Sequence, residues 1–535
     1  MRYLEPGFPS RRSPVIARNG LVATSQPLAA QAGLSILQAG GNAIDAAVAT
    51  VATLCVVEPC STGIGGDAFA LIWSAAEQKL YGLNASGPAP MALEADWLRA
   101  LGHNSFPVRG GLSVTVPGSL RGWELALDRF GSIGLDTLLA RPIAYAQHGY
   151  PVSPVIARAW ARSTDLLARL PDSRRVWLPG GRSPRAAEVF SNPEFANTLK
   201  LIAEHGPDIF YHGDIARQIE RSVKADGGVM TEADLANYRA EWVEPIAIEY
   251  RDGYKFHEIP PNGQGLAALL ALNIVRDFDL RHMDYASADY YHILIEAMKL
   301  AFADAETFIG DPRQVNVPIA SLLNSRYARD RRSLIRRQEA LWPEPGRPDG
   351  SGETVYLTVA DEAGNMVSWI QSLYMGFGSG ITAGSTGVQL QNRGANFSLK
   401  PGHANEVAPG KRPYHTIIPG FITLNDRAWS SFGVMGGFMQ PQGHLQVGVN
   451  LVDFEMDPQT ALDAPRFNWL QRLDIALERG IADDVRAELA RRGHSLLPPD
   501  SSVHYGGGQV IVRDPATGVL IGGSEPRNDG AAAGF

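Results

Sequence analysis

The chain has 535 residues, 45% hydrophobic and 19% charged, with a formal net charge of −8. At roughly 150 residues per domain this length suits one large unit or three or four smaller ones, and either way a sizeable core. The acidic balance argues against a general nucleic-acid binder, and the scattered 36 Pro and 56 Gly form no collagen-like or disordered tract.

Residues 1–20 carry no apolar stretch ahead of their charges and prolines, so no secretory signal is read and a cytoplasmic location is expected. Residues 21–28 (LVATSQPL) predict a short strand running into a loop, and 29–39 a helix ended by Gly40-Gly41. Asn42 is placed to cap a second helix through the run Ala46–Val57. That run is about 12 residues where a membrane span needs about 20, so it reads as a buried helix and no membrane partner is expected. After the Gly-rich turn 61–66, residues 69–73 (FALIW) read as a strand. The middle third is mostly helical, with three-and-four apolar spacing over 266–276 and 289–305. An arginine run, Arg326 to Arg337, reads as a solvated helix face. Residues 339–353 are rich in Pro and Gly and predict an exposed, breaker-rich segment. Thr354–Ala360 and Met366–Ser372 then form a β-hairpin across the turn 361–365, and Gly-rich turns, short strands and a few helices follow to Phe535. Strands and helices alternate throughout, which gives an α/β layered fold.

Few familiar motifs survive inspection. Cys55 and Cys60 suit neither a disulfide framework nor a zinc-finger spacing and read as buried thiols. Gly63–Ala68 and Gly378–Ala383 match the dinucleotide pattern, yet neither has the strand before and helix after that it requires. The twelve His show no metal-ligand spacing. Thr354 stands out: a Thr opening a strand behind a cleavable segment has the layout of an N-terminal nucleophile. Cutting Glu353–Thr354 would free an α-amine, with a typical pKa of about 7.7–8.0, that can take the hydroxyl proton. On spacing alone, a plain strand residue fits as well.

The neighbouring blocks resolve this. LAAQAGLSILQAGGNAIDAAVAT, VVEPCSTGIGGDAFAL, VPGSLRGWELALDRFG, MTEADLANYRAEWVEP, EAMKLAFADAETFIGDP, ETVYLTVADEAGNMVSWIQSLYMGFGSGI, APGKRPYHTIIP and FGVMGGFMQPQGHLQ occur in the order found in the gamma-glutamyltransferase family of N-terminal nucleophile hydrolases, which the chain resembles over nearly its whole length. The resemblance implies a four-layer αββα sandwich. It also implies self-cleavage into a large piece, 1–353, and a small piece, 354–535, that stay associated. Thr354 would be the nucleophile in processing and in turnover, Ser372 would position it, and the N–H groups of Gly436-Gly437 would form an oxyanion hole; with nucleophile, base and oxyanion donors all protein groups, the resemblance implies neither a metal nor an organic cofactor. Read without the family, Ser372 is a strand residue and the glycine pair a tight turn.

The departures fall in the acyl pocket. Asn84 stands where family members grip a carboxylate with Arg, and Asn396 replaces an acidic partner of an ammonium group. His415-Thr416 replaces a Ser pair, Tyr374 a polar residue, and Arg393 a Gln or Glu. An amide does not replace a bidentate guanidinium, while Arg393 and His415 offer donors for a different anion. The expected substrate is therefore a small acidic amide without an α-amine, as for the glutaryl-cephalosporin acylases and oxamate amidohydrolases of this family, resolved by water or an amine acceptor. The alternatives are a gamma-glutamyl hydrolase or transpeptidase acting on glutathione through a rebuilt pocket, and an uncleaved, inactive binding protein.

Overall fold

Period-two alternation in the strand Glu353–Asp361 sends its side chains to opposite faces. Val355, Leu357 and Val359 enter one apolar cluster, while Tyr356 and Ala360 enter another. Both faces are buried, so the strand needs a cover on each side, and the computed structural model supplies it. It describes residues 12–342, 353–498 and 503–535.

Two seven-stranded sheets, antiparallel throughout, form the centre. The first runs Ala531–Gly534, Gly20–Thr24, Glu353–Asp361, Met366–Tyr374, Asp67–Ser74, Lys79–Ala85, Glu241–Val243. The second runs Val15–Ala17, Leu520–Ser524, Gly507–Arg513, Arg427–Met435, Gly420–Leu424, Tyr254–Glu258, Ile246–Glu249. Their facing sides share one cluster that includes Leu71, Tyr356 and Ile370 from the first sheet and Phe421, Met435 and Ile511 from the second. Helices Pro27–Gln38 and Ala43–Val57 cover the outer face of the first sheet. Gly265–Val275, Ala288–Phe308 and Met439–Val452 cover the second. The layers are helices, sheet, sheet, helices, the αββα sandwich the family resemblance implies.

The predicted elements fall within a few residues of those observed. Asn42 caps Ala43–Val57 through a capping box with Asp45, and every residue of that helix is buried. Ala43 N–H also donates to Asp361 Oδ2 at 2.9 Å, tying the helix start to the far end of the strand that begins at Glu353. Among the described residues no helix is long and apolar enough to cross a membrane. The arginine run departs from expectation. Its helix ends at Arg332, and Arg331, only 20% exposed, pairs with Asp304 at 3.0 Å. The breaker-rich segment lies mostly outside the described residues.

The two sheets pack tightly where Gly433 faces Tyr356: a Cβ on Gly433 would lie 2.5 Å from the Tyr356 ring. Gly433→Ala is therefore expected to destabilise the chain by about 1–3 kcal/mol, measured by denaturant unfolding; unchanged stability would refute this account of the interlayer contact.

Candidate active site

The pairing of Glu353–Asp361 with Met366–Tyr374 is regular except at its start. Glu353 pairs with Tyr374 but Val355 pairs with Gln371, so one extra residue, Ser372 or Leu373, bulges opposite Thr354. Tyr374 takes a positive φ of 81° at the end of that bulge. The bulge turns Ser372 into the gap. Its Oγ accepts from Thr354 Oγ1 at 3.3 Å and from Tyr374 N–H at 2.7 Å, and donates to the Glu353 carbonyl at 2.7 Å. Thr354 and Ser372 are both buried.

The turn 61–66, which overlaps the dinucleotide-like Gly63–Ala68, supports this arrangement. A Cβ on Gly66 would lie 2.3 Å from the Ser372 carbonyl oxygen, and Leu373 N–H donates to Ser61 O at 3.0 Å. The turn leads into the strand Asp67–Ser74, not into a helix. Gly378–Ala383 likewise opens no helix.

Tyr374 connects the Thr354–Ser372 pair to a buried cation. The Arg393 guanidinium lies 4.4 Å over its ring, and Nη1 donates to Thr416 Oγ1 at 2.6 Å. Arg393 is fully buried, and its Nε and Nη2 have no hydrogen-bond partner among the described residues. Burial lowers its pKa to about 10, so it stays charged at neutral pH. Gln264 joins Thr416 to the glycine pair, donating from Nε2 to Thr416 O at 2.6 Å and to Gly437 O at 2.9 Å. Gly436 and Gly437 have φ of 124° and 61°, backbone that favours glycine. Their carbonyls accept from Met439 and Gln440 N–H as the following helix begins.

Two predicted pocket residues are otherwise engaged. His415 does not offer donors to a ligand: Nε2 lies 3.0 Å from Asp67 Oδ2 and Nδ1 accepts from Ile417 N–H at 3.4 Å. This pattern makes it a neutral imidazole donating to Asp67, in keeping with burial, which pushes its pKa well down. Asn84 accepts from Ser86 N–H and Oγ and donates to Asn262 Oδ1 at 3.1 Å, with 2% exposure. Asn396 donates to Tyr414 O at 3.0 Å and lines a cavity of about 420 Å³ beside Phe438, the residue after Gly437.

Several site residues escaped the sequence reading. Asp67 accepts from Gly87 N–H and Gln391 Nε2 as well as from His415, and burial raises its carboxyl to about 7. Its signal was present as the acid ending GIGGD. Gln264 and Asn262 carried none, being ordinary polar residues before a helix. Arg109 Nη1 donates to Gly376 O at 2.8 Å, and Gly376 lies against the Glu353 carboxyl. The structure also gathers His292, Glu296 and His494, which no sequence spacing revealed. Lys299 Nζ sits 2.7 Å from Glu296 and 3.4 Å from His494 Nδ1, and His292 bonds His494 and Arg336 O. These contacts make the group a hydrogen-bonded tie within the protein. Cys55 and Cys60 are buried, and burial raises both thiols, Cys55 to about 12.

The chain matches known proteins along its length. Residues 29–535 match the family described as Gamma-glutamyltranspeptidase. The glutathione hydrolase-like YwrD proenzyme of Bacillus subtilis is 37% identical over 97% of this chain and 99% of its own. The oxamate amidohydrolase proenzyme of Klebsiella pneumoniae is 36% identical over 97% and 99%. The crystal structure of cephalosporin acylase from Bacillus halodurans superposes with a TM-score of 0.93 at 50% identity, covering 99% of this chain and 98% of that one.

The Glu353 side chain yields a pH prediction. Burial raises its carboxyl from 4.5 to about 7 against the fields of Arg162 and Arg109. The folded chain thus holds this proton more tightly than the unfolded one, and the group's contribution to stability falls as pH rises through that window. In a Thr354→Ala background, Glu353→Gln should match its parent near pH 4 and gain on it up to pH 7–8, approaching about 3 kcal/mol. Unfolding curves of the two chains across pH measure it, and parallel curves would refute it. With Thr354, Ser372 and Tyr374 joined by hydrogen bonds, Arg393 stacked on the Tyr374 ring and bonded through Thr416 and Gln264 to the glycine turn, and the family match running over residues 29–535, this chain belongs to the gamma-glutamyltranspeptidase family and is an enzyme of the N-terminal nucleophile hydrolase type.

Proposed function

We propose that the chain cuts itself between Glu353 and Thr354 and that the resulting pieces, 1–353 and 354–535, act together as an amidohydrolase on a small acidic amide. The observation that carries the processing step is the Ser372 hydroxyl, which bonds both the Thr354 hydroxyl and the carbonyl it would attack. Thr354 Oγ1 adds to the Glu353 carbonyl carbon while Ser372 Oγ–H holds the oxygen on which charge develops. The C–N bond breaks, the Thr354 nitrogen takes up the proton, and water opens the ester to a Glu353 carboxylate. In turnover the freed amine takes the hydroxyl proton and the same oxygen attacks the substrate amide. The N–H groups of Gly436 and Gly437 receive the oxyanion, the leaving amine departs protonated, and water or an amine acceptor resolves the acyl-enzyme.

The acidic preference rests on Arg393. A buried guanidinium with two unfilled donors beside Tyr374 suits a carboxylate on the acyl group. No acidic side chain stands at position 396 to hold an ammonium. Relatives named for oxamate and for cephalosporin support an acyl group other than gamma-glutamyl; the relative named glutathione hydrolase-like supports the alternative.

Intact mass tests the processing step. Two chains, the smaller beginning at Thr354, are expected for the wild type and a single chain for Thr354→Ala; one chain from both would overturn it. Arg393→Met is expected to lower kcat/KM for glutaryl and oxamate amides on the order of 10²-fold while leaving self-cleavage intact. Ordinary turnover of gamma-glutamyl anilide with no activity on the acidic amides would instead establish the glutathione-type reading.

A further inference from the structure

The side chain next to the scissile bond sits in a recess of its own. Glu353 supplies the carbonyl that Ser372 bonds and stands opposite Tyr374 at the end of the ladder. Its Oε2 is out of reach of water and has no hydrogen-bond partner among the described residues. The carboxyl rests over Gly376: a Cβ there would lie 3.3 Å from Oε2 and 3.5 Å from Cδ, so any larger residue would crowd it. Cys60, in the turn after the buried helix, hydrogen-bonds the carboxyl. Arg109 builds the floor of the recess, its Nη1 donating to the carbonyl oxygens of both Gly376 and Gly378. The ionisable groups facing the acid are Arg109, exposed Arg162, buried Cys60, buried Glu58 and its ladder partner Tyr374.

Such a recess suits an uncharged acid and not an anion. Ionising Glu353 would place charge on an oxygen that has no donor. Relief requires movement: the acid leaves the recess, or Arg109 leaves the two carbonyls it holds. Either shift reaches the reactive centre. The acid and the carbonyl that Ser372 bonds hang from one Cα, and Gly376 follows two residues after Tyr374, whose N–H the same Ser372 hydroxyl accepts. An uncharged carboxyl disturbs neither contact.

We propose that the Glu353 side chain is a positioning residue for self-cleavage: seated uncharged in the recess at Gly376 and Cys60, it keeps its own main-chain carbonyl on the Ser372 hydroxyl. This rests on the self-cleavage reading above and adds the residue that readies the bond. The side chain takes no part in making or breaking bonds. It acts through the carbonyl, where a small misplacement slows attack steeply. With its carboxyl raised to about 7 by burial, the acid is uncharged in mildly acidic solution and ionises above neutrality, so the cut is favoured below that range and slows as pH rises through it.

The test follows the cut itself. Full-length wild type, Glu353→Gln and Glu353→Ala are made by cell-free translation, synthesis is stopped, and the fraction cut before Thr354 is followed by intact mass at pH 6 and at pH 8.5. Unfolding curves of the same variants in a Thr354→Ala background report that each one folds. The proposal expects the wild-type rate, taken relative to Glu353→Gln so that effects common to both cancel, to fall about tenfold from pH 6 to pH 8.5. Glu353→Ala, which empties the recess, is expected to be cut about tenfold more slowly than Glu353→Gln at both pH values. An acid with a merely structural role would give neither the wild-type slope nor the rescue by the amide. Parallel pH profiles for wild type and Glu353→Gln, or Glu353→Ala cut as fast as Glu353→Gln, would overturn the proposal and leave self-cleavage standing. A wild-type chain that is never cut would overturn both.

Discussion

One hydroxyl organises the reactive centre. A serine offers one donor and two acceptor positions, and Ser372 uses all three, on the Glu353 carbonyl, the Thr354 hydroxyl and the Tyr374 N–H. In a regular ladder Ser372 would stand opposite one residue and point to one face. The bulge opposite Thr354 places it between the Thr354 hydroxyl and the Glu353 carbonyl. The rest of the neighbourhood holds that bulge in place: Ser61 O takes the Leu373 N–H, and Gly66 admits the Ser372 carbonyl where any side chain would collide. The close packing of the two sheets at Gly433 then fixes the strand that carries Thr354 against the strand that ends at Met435, just before the glycine pair.

Around this centre, burial sets the electrostatics. Asp67, Glu353 and Glu58 are each raised to about 7, chiefly by loss of water. His415 is held neutral for the same reason and serves to orient Asp67. Arg393 is the fully buried cation of the network and is only partly satisfied. Leaving a buried guanidinium short of partners costs stability unless an anion arrives. The fold thus carries a local cost at Arg393 that the proposed carboxylate would relieve, whereas Asn84 already bonds Ser86 and Asn262.

The main elements were legible because their signals are local. The capped run at Asn42, the hairpin across 361–365 and the apolar spacing of 289–305 each need only their own neighbours. The Thr354 region was legible through a resemblance spread over many blocks. What stayed hidden depends on distant partners. His415 reads as a free donor in HTIIP, and only the approach of Asp67 from residue 67 occupies it. Gln264 is one polar residue among many until the fold brings it to Thr416 and Gly437. Gly63–Ala68 was read against a nucleotide template, and its use is steric: its glycines make room for a backbone more than 300 residues away.

The interleaving of the sheets has a consequence for how such a protein can be made. The strand Glu353–Asp361 lies between Gly20–Thr24 and Met366–Tyr374, and the second sheet likewise mixes strands from before and after Thr354. Neither half contains either seven-stranded sheet whole, so neither can bury the apolar faces of those sheets by itself. A single translated chain brings the halves together as a unimolecular event, without the concentration dependence that two separate products would face. Covalent continuity therefore matters during assembly and becomes dispensable once the sheets have closed. A hydrolase that makes its own amine terminus by an internal cut can thus complete its fold first and break its backbone last.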